Sequence, residues 1–262
     1  MTFPVYNRGL VYHKVSAQYE WGLTTTTLHQ FKAQMLALKH LGFSFTTIKD
    51  WDSSSNQIMV TFDDGYDCIR EFAAPILDEI GGVATVFAIS EYVGRKNSWD
   101  YFPESKQIEH MSWSKLRELH DKGWEIGSHG RSHIRLIGLS PAIIKDELLT
   151  SKKQIEDQIG SEVTTFCPPF NAWNDELVGE IEQAGYSQIA ISYPLYGLPK
   201  WSGKFITRLG VYLHDIKPLF LSKMIVNPLA PLAVLQQLLI NQAGDGKLLE
   251  SWGKPVGRST SA

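Results

Sequence analysis

Short apolar runs alternate with longer amphipathic stretches along this chain, the pattern of strands and helices in turn. The strand-like runs fall at residues 10–12, 43–48, 58–62, 83–88, 124–126, 164–166, 188–191 and 205–207. Helical periodicity lies between them. One helix is predicted over residues 28–41, with Leu28, Phe31, Met35 and Leu38 on one side and Gly42 as its stop. Another opens with Ser140 and Pro141, an N-cap and first-turn pair, carries Ile144, Leu148, Ile155 and Ile159 on one face, and stops at Gly160. Seven or eight such units with no linker among them predict an α/β fold: one barrel over residues 1–223. Beyond it the pattern changes. Residues 224–240 are unusually apolar and hold Pro228 and Pro231, and residues 253–262 are polar. We expect this C-terminal segment, 224–262, to pack on the barrel, with peripheral membrane contact or a partner helix as the alternative.

Composition narrows the picture. With 262 residues, 43% apolar and 20% charged, the chain is long enough to bury a large core. A net charge of −3, with lysine and arginine scattered, excludes the basic footprint that nucleic-acid binding needs. Cys68 and Cys167 are expected to be free thiols. The first residues lack the basic-then-apolar pattern of a signal peptide, so the expected location is cytoplasmic, with membrane association through the C-terminal segment as a variant of it.

The residues with chemistry to offer share one placement, at or just past the end of an apolar strand. Residues 58–62 lead into Asp63-Asp64-Gly65, residues 124–128 into His129 with His133 four positions on, residues 164–166 into Cys167-Pro168-Pro169-Phe170, and residues 10–12 into His13. In a parallel barrel that edge carries the active site. Adjacent carboxylates repel unless a cation lies beside them. Asp64, His129 and His133 would give one oxygen and two nitrogens, a donor set that suits zinc and leaves a coordination position open. An Asp-Asp-Gly turn or a His-x-x-x-His spacing says little alone; their occurrence at two strand ends says more.

Thr61-Phe62-Asp63-Asp64-Gly65 followed by Ser128-His129-Gly130-Arg131-Ser132-His133 closely resembles the polysaccharide deacetylase, or NodB-homology, family (carbohydrate esterase family four), over roughly residues 10–208. The resemblance implies a single-domain distorted (β/α)7 barrel and a metal-dependent hydrolase that removes acetyl groups from N-acetylated sugars. It implies Asp63 as general base and Asp64, His129 and His133 as ligands of one divalent ion, most simply Zn2+. The third motif departs from the family's Arg-x-Pro-Tyr: here it reads Cys167-Pro168-Pro169-Phe170, which loses the arginine that orients the base but keeps the turn whose Phe170 N–H can meet an oxyanion. Arg208, at a late strand end, is the candidate to replace that arginine and pair with Asp63; the plain alternative is a surface salt bridge of little consequence.

Two histidines compete for the general acid. Leu213-His214 matches the family's last motif by letter. His13 matches the branch of poly-N-acetylglucosamine deacetylases in which that motif is permuted to the first strand, and we favour it. Tyr66 and Trp173 are the candidates to stack on sugar, with Trp99 and Trp113 as further aromatics near the motifs. The expected partners are an N-acetylated sugar, an oligosaccharide or a lipid-linked sugar. Hydrolysis of other C–N amides, deformylation included, a glycan-binding member without catalysis, and a scaffold recruited through the C-terminal segment stay open.

Overall fold

The computed structural model describes residues 8–17, 24–97, 108–193 and 203–224, together with 232, 235–237, 239 and 240. Ten strands run through the described residues: β1 Gly9–Tyr12, β2 Lys14–Ser16, β3 Thr25–Thr27, β4 Ser44–Thr46, β5 Gln57–Phe62, β6 Thr85–Ala88, β7 Glu125–Ser128, β8 Thr165–Phe166, β9 Gln188–Ser192 and β10 Lys204–Gly210. All pairings in the main sheet are parallel, in the order β1-β10-β9-β8-β7-β6-β5-β4, and β1 also pairs with β5. That last pairing closes β1 and β5–β10 into a seven-stranded barrel. Met59 is registered with both Gly9 of β1 and Thr46 of β4, so those strands take opposite edges of β5. β4 therefore shares the outer edge with β6, beside the ring and not in it. β2 and β3 form a separate parallel pair.

Helices α1 Leu28–His40, α2 Ala74–Glu79, α3 Trp113–Asp121, α4 Pro141–Ile159, α5 Asp175–Gln183 and α6 Lys217–Ser222 connect and clothe the strands. α1 is capped by the Thr27 side chain, which accepts the Gln30 N–H at 3.1 Å, and buries Phe31, Met35 and Leu38 as the periodicity predicts. α4 begins and ends at the expected places, with Gly160 at φ 75. Its Ser140 differs from expectation, because the side chain makes no capping bond. The Ser140 carbonyl instead accepts the N–H groups of Ile143 and Ile144.

Alternation along each strand sorts the core into two. Leu10, Tyr12, Ile58, Val60, Phe62, Val86, Ile126, Phe166, Ile189 and Ile191 face the helices in one large cluster. The other face lines the lumen, which is narrow. Glu125 closes its lower end by accepting the hydroxyls of Thr165 at 2.6 Å and Thr85 at 2.8 Å. Above it Met59, Phe87, Cys167, Ala190 and Ile206 pack together. Phe87 fills the space beside Gly127, where a methyl would come within 2.6 Å of its ring. The next inward positions up are His13, Asp63, His129 and Arg208, so the period that builds the core also delivers these side chains to the barrel mouth.

Candidate functional site

Three strand ends are pinned so that their next residues meet. The Asp63 N–H donates to the Tyr12 carbonyl at 2.9 Å, the His129 N–H to Ala88 at 2.9 Å and the Cys167 N–H to Ser128 at 2.8 Å. Asp64 and His133, which follow these ends, take left-handed backbone at φ 68 and 60, and Phe170 and Asn171 do so at φ 59 and 53. These are the four non-glycine residues with positive φ among the described residues, and all four line one cavity of about 430 Å³. Each such conformation costs on the order of 1 kcal/mol or more for an L-residue. Such a concentration of strain at one mouth is what a site held for function has.

Asp64, His129 and His133 converge. Asp64 Oδ1 is 3.4 Å from Nε2 of each histidine, and the three donor atoms fit within 4.8 Å of one another. The far nitrogen of His129, Nδ1, is 2.7 Å from the Cys167 carbonyl. A carbonyl only accepts, so Nδ1 carries the proton and Nε2 is turned to Asp64. This is how a ligating imidazole is held. Two ring nitrogens around one buried carboxylate oxygen leave acceptors facing each other unless a proton or a cation lies between them. One divalent ion fits this donor set.

The charges show how strongly these groups act on one another: burial would lower His129, but Cys167, Asp64 and Asp63 beside it hold it well above its ordinary value. Burial alone would lift Asp64, yet the His129 hydrogen bond and the His133, His13 and His129 charges hold it far below the ordinary carboxylate range. Burial pushes His133 down to about 4, against the pull of Asp64, with His129 and His13 adding to the fall. His133 thus presents a lone pair at neutral pH.

Asp63 is engaged differently. Burial would raise it, but the Arg208 charge, then His129 and His13, hold it below the ordinary range. Arg208 is only 2% exposed. Its Nη1 donates to Asp63 Oδ1 at 2.7 Å and to Thr61 Oγ1 at 2.8 Å, while Nη2 donates to Asp63 Oδ2 at 3.2 Å and to Cys167 Sγ at 2.9 Å. The surface salt bridge is therefore not what Arg208 makes; its guanidinium is buried, bidentate to Asp63, and lies 5.0 Å above the Phe87 ring. The Cys167 thiol adds a longer contact to Asp63 Oδ2 at 3.6 Å. A second donor cluster, Asp63, His129 and Cys167, is geometrically close enough for a metal. Arg208 already occupies its carboxylate and its sulfur, so of the two clusters the one at Asp64 is the better suited to a cation.

The other expected residues divide. His13 and Phe170 line the cavity with Asp63, Asp64, His129, His133 and Arg208. Phe170 is 49% exposed and its ring centre is 4.8 Å from that of His133. His214 lies outside that lining, stacked on Tyr212 and 2.7 Å from Gln236 Nε2. Tyr66 corrects our expectation. Gly65, at φ 67, turns the chain away from the mouth, and Tyr66 is fully buried against His110 with its hydroxyl accepting from Asn97. It has no face for a sugar. Trp173 likewise packs on Phe205 and is absent from the cavity lining. Trp113 lines a different groove, and Trp99 lies outside the described residues. The motifs did not point to Asn171, Tyr212 or Gln237 of the cavity wall. Gln237, from the C-terminal segment, accepts the Gly210 N–H at 2.6 Å.

Comparison with known proteins supplies the family. The polysaccharide deacetylase family model matches residues 51–189, and the chain belongs to that family. YxkH of Bacillus subtilis, another protein placed in the family, is 27% identical over 192 residues, 71% of this chain and 64% of YxkH. The poly-β-1,6-N-acetyl-D-glucosamine N-deacetylase of Staphylococcus aureus is 26% identical over 60% of this chain and 57% of its own. The chain thus spans less than two thirds of each of these relatives. In fold, the crystal structure of BC0361, a polysaccharide deacetylase from Bacillus cereus, superposes with a TM-score of 0.69 at 23% identity, over 83% of this chain and 68% of that one.

Proposed function

We propose that the chain is a metal-dependent N-deacetylase of N-acetylated sugars, as the name of its Staphylococcus aureus relative suggests. The observation that carries the reading is the meeting of Asp64, His129 and His133 at one point, with the Arg208-bound Asp63 beside them in an open cavity. A divalent ion there, zinc by the nitrogen-rich donor set, would supply Lewis acidity to the acetyl carbonyl and to the attacking water.

The residues of the chain do the rest. Asp63, kept ionised and oriented by Arg208, takes the proton of the attacking water. The Phe170 N–H at the cavity wall donates to the oxyanion as the acetyl carbon becomes tetrahedral. His13, on the opposite side of the lumen, gives its proton to the sugar nitrogen, since an amide anion leaves too poorly without one. Acetate and a free amine result. The expected substrates are N-acetylglucosamine oligomers or polymers, with a lipid-linked sugar as a further possibility at a cytoplasmic location. Acetate release from a panel of N-acetylated oligosaccharides, with simple formamides and cyclic amides included, tests the reading. Chelator should abolish the release and zinc should restore it. Release from the amides alone, or from nothing, would overturn the substrate class or the activity.

A further inference from the structure

The loop that carries the two histidines is held from both sides. The Gly130 carbonyl accepts the Ser90 N–H at 3.2 Å and the Arg131 carbonyl accepts the Glu91 N–H at 2.9 Å, both from the chain just past β6. On the opposite side all three N–H groups between the histidines are taken by side chains. Gly130 donates to Ser128 Oγ at 3.2 Å, and Arg131 and Ser132 both donate to one oxygen of Glu147, at 2.9 and 3.0 Å. The other Glu147 oxygen accepts the Ser132 hydroxyl at 2.5 Å. Glu147 comes from the second turn of α4 and is only 4% exposed. It approaches so closely that a methyl on Gly130 would sit 3.3 Å from its Oε2, at a φ of +80 where a side chain is strained anyway.

A carboxylate buried on the apolar face of a helix needs a reason, because removing it from water is costly. Here its donors are the two peptides and the hydroxyl that separate the ligands. We propose that Glu147 is a positioning residue for the candidate metal centre: it clamps residues 131 and 132 so that His133, in its left-handed conformation, and His129 face Asp64 together before any ion arrives. The inference rests on the metal-site reading above. What the clamp requires is reach and two acceptor oxygens' worth of geometry, not negative charge. A glutamine keeps the reach: its carbonyl oxygen can accept both N–H groups while its amide donates to Ser132 Oγ. An aspartate keeps the charge but draws the carboxylate back by one methylene.

The pair Glu147→Asp and Glu147→Gln therefore separates the clamp from a charge effect. Chelator-stripped full-length protein is titrated with cobalt(II) alone, read by its visible absorption, and thermal unfolding of the same metal-free samples is recorded. Glu147→Asp should bind cobalt about 10–100-fold more weakly than wild type, the range typical of lost outer-shell support, and Glu147→Gln within about threefold of it. Equal affinity in all three proteins overturns the proposal, even if the variants melt earlier, because a purely structural role would lower the melting temperature alone. Glutamine weaker than aspartate also overturns it, by assigning the effect to charge. A wild-type protein that takes up no cobalt would instead overturn the metal reading itself, and is distinguishable for that reason.

Discussion

At the residue scale, the site depends on an exchange of partners around Asp63. The Arg-x-Pro-Tyr arginine is replaced by Cys167, and the guanidinium arrives from β10, 145 positions away in sequence, with bidentate geometry that a lysine could not reproduce. Arg208 has one duty that can be read by pH. It lowers Asp63, so the carboxylate stays ionised to a pH below its ordinary range, as the proposed base requires. Replacing it with methionine removes the cation and leaves burial, which raises the carboxylate. We expect Arg208→Met to move the acid limb of the kcat/KM profile upward by about one to three pH units. The same change leaves a buried charge without its partner, costing about 3–5 kcal/mol of stability at neutral pH. Because the folded-state value of Asp63 is depressed, its contribution to stability is present above its unfolded-state value and fades as pH falls through the folded-state one. Profiles measured side by side decide the matter, and an unshifted acid limb would remove Arg208 from the site's chemistry.

At the scale of elements, β1 shows how little room the arrangement leaves. Gly9 is registered opposite Arg208, and a methyl there would come within 2.9 Å of Arg208 Cγ and 3.1 Å of the Thr207 carbonyl oxygen. Gly9→Ala should push the arginine stem out of line and lower kcat at least tenfold, while cobalt affinity stays near wild type because no ligand is touched. Turnover unchanged in that variant would mean that the lumen is softer than its contacts imply. The elements themselves were largely legible in the sequence. All eight strands of the main sheet overlap an apolar run, since strands covered on both faces read as near-continuous apolar stretches. β2 and β3 escaped because three residues such as Thr25–Thr27 carry no period at all. Asp63, Asp64, His129 and His133 stood out because strand ends in a parallel barrel are where side chains converge. Tyr66 lies close to Asp64 in sequence but outside its cavity, because the left-handed Gly65 between them turns the chain. Glu147 was silent for the opposite reason. A glutamate inside a long helix reads as a solvated position, and only the packed structure reveals that it faces inward.

For the whole molecule, the candidate centre is also a tie between distant parts of the chain. Asp64 follows β5 and both histidines follow β7, with β6 lying between them in the sheet. The closing pair β1–β10 brings Arg208 to the same mouth, and Gln237 from the C-terminal segment joins the wall by accepting the Gly210 N–H. That segment was expected to dock on the barrel or reach a membrane. Its described residues include a side chain inserted into the cavity wall, and no described helix is long and apolar enough to cross a membrane. An ion bound across β5 and β7 stabilises the folded state by mass action, because the unfolded chain cannot bring Asp64 to histidines 65 and 69 positions further on with the same affinity. With free zinc about a thousandfold above its dissociation constant, the gain is about 4 kcal/mol, or on the order of 10 °C in melting temperature for a chain of this size. Chelator should remove that increment from the wild-type protein and leave Asp64→Ala, which has lost the shared oxygen donor, nearly unchanged. Thermal unfolding with zinc and with chelator measures both. A wild-type melting temperature indifferent to chelator would mean that the convergence of Asp64, His129 and His133 serves something other than a metal.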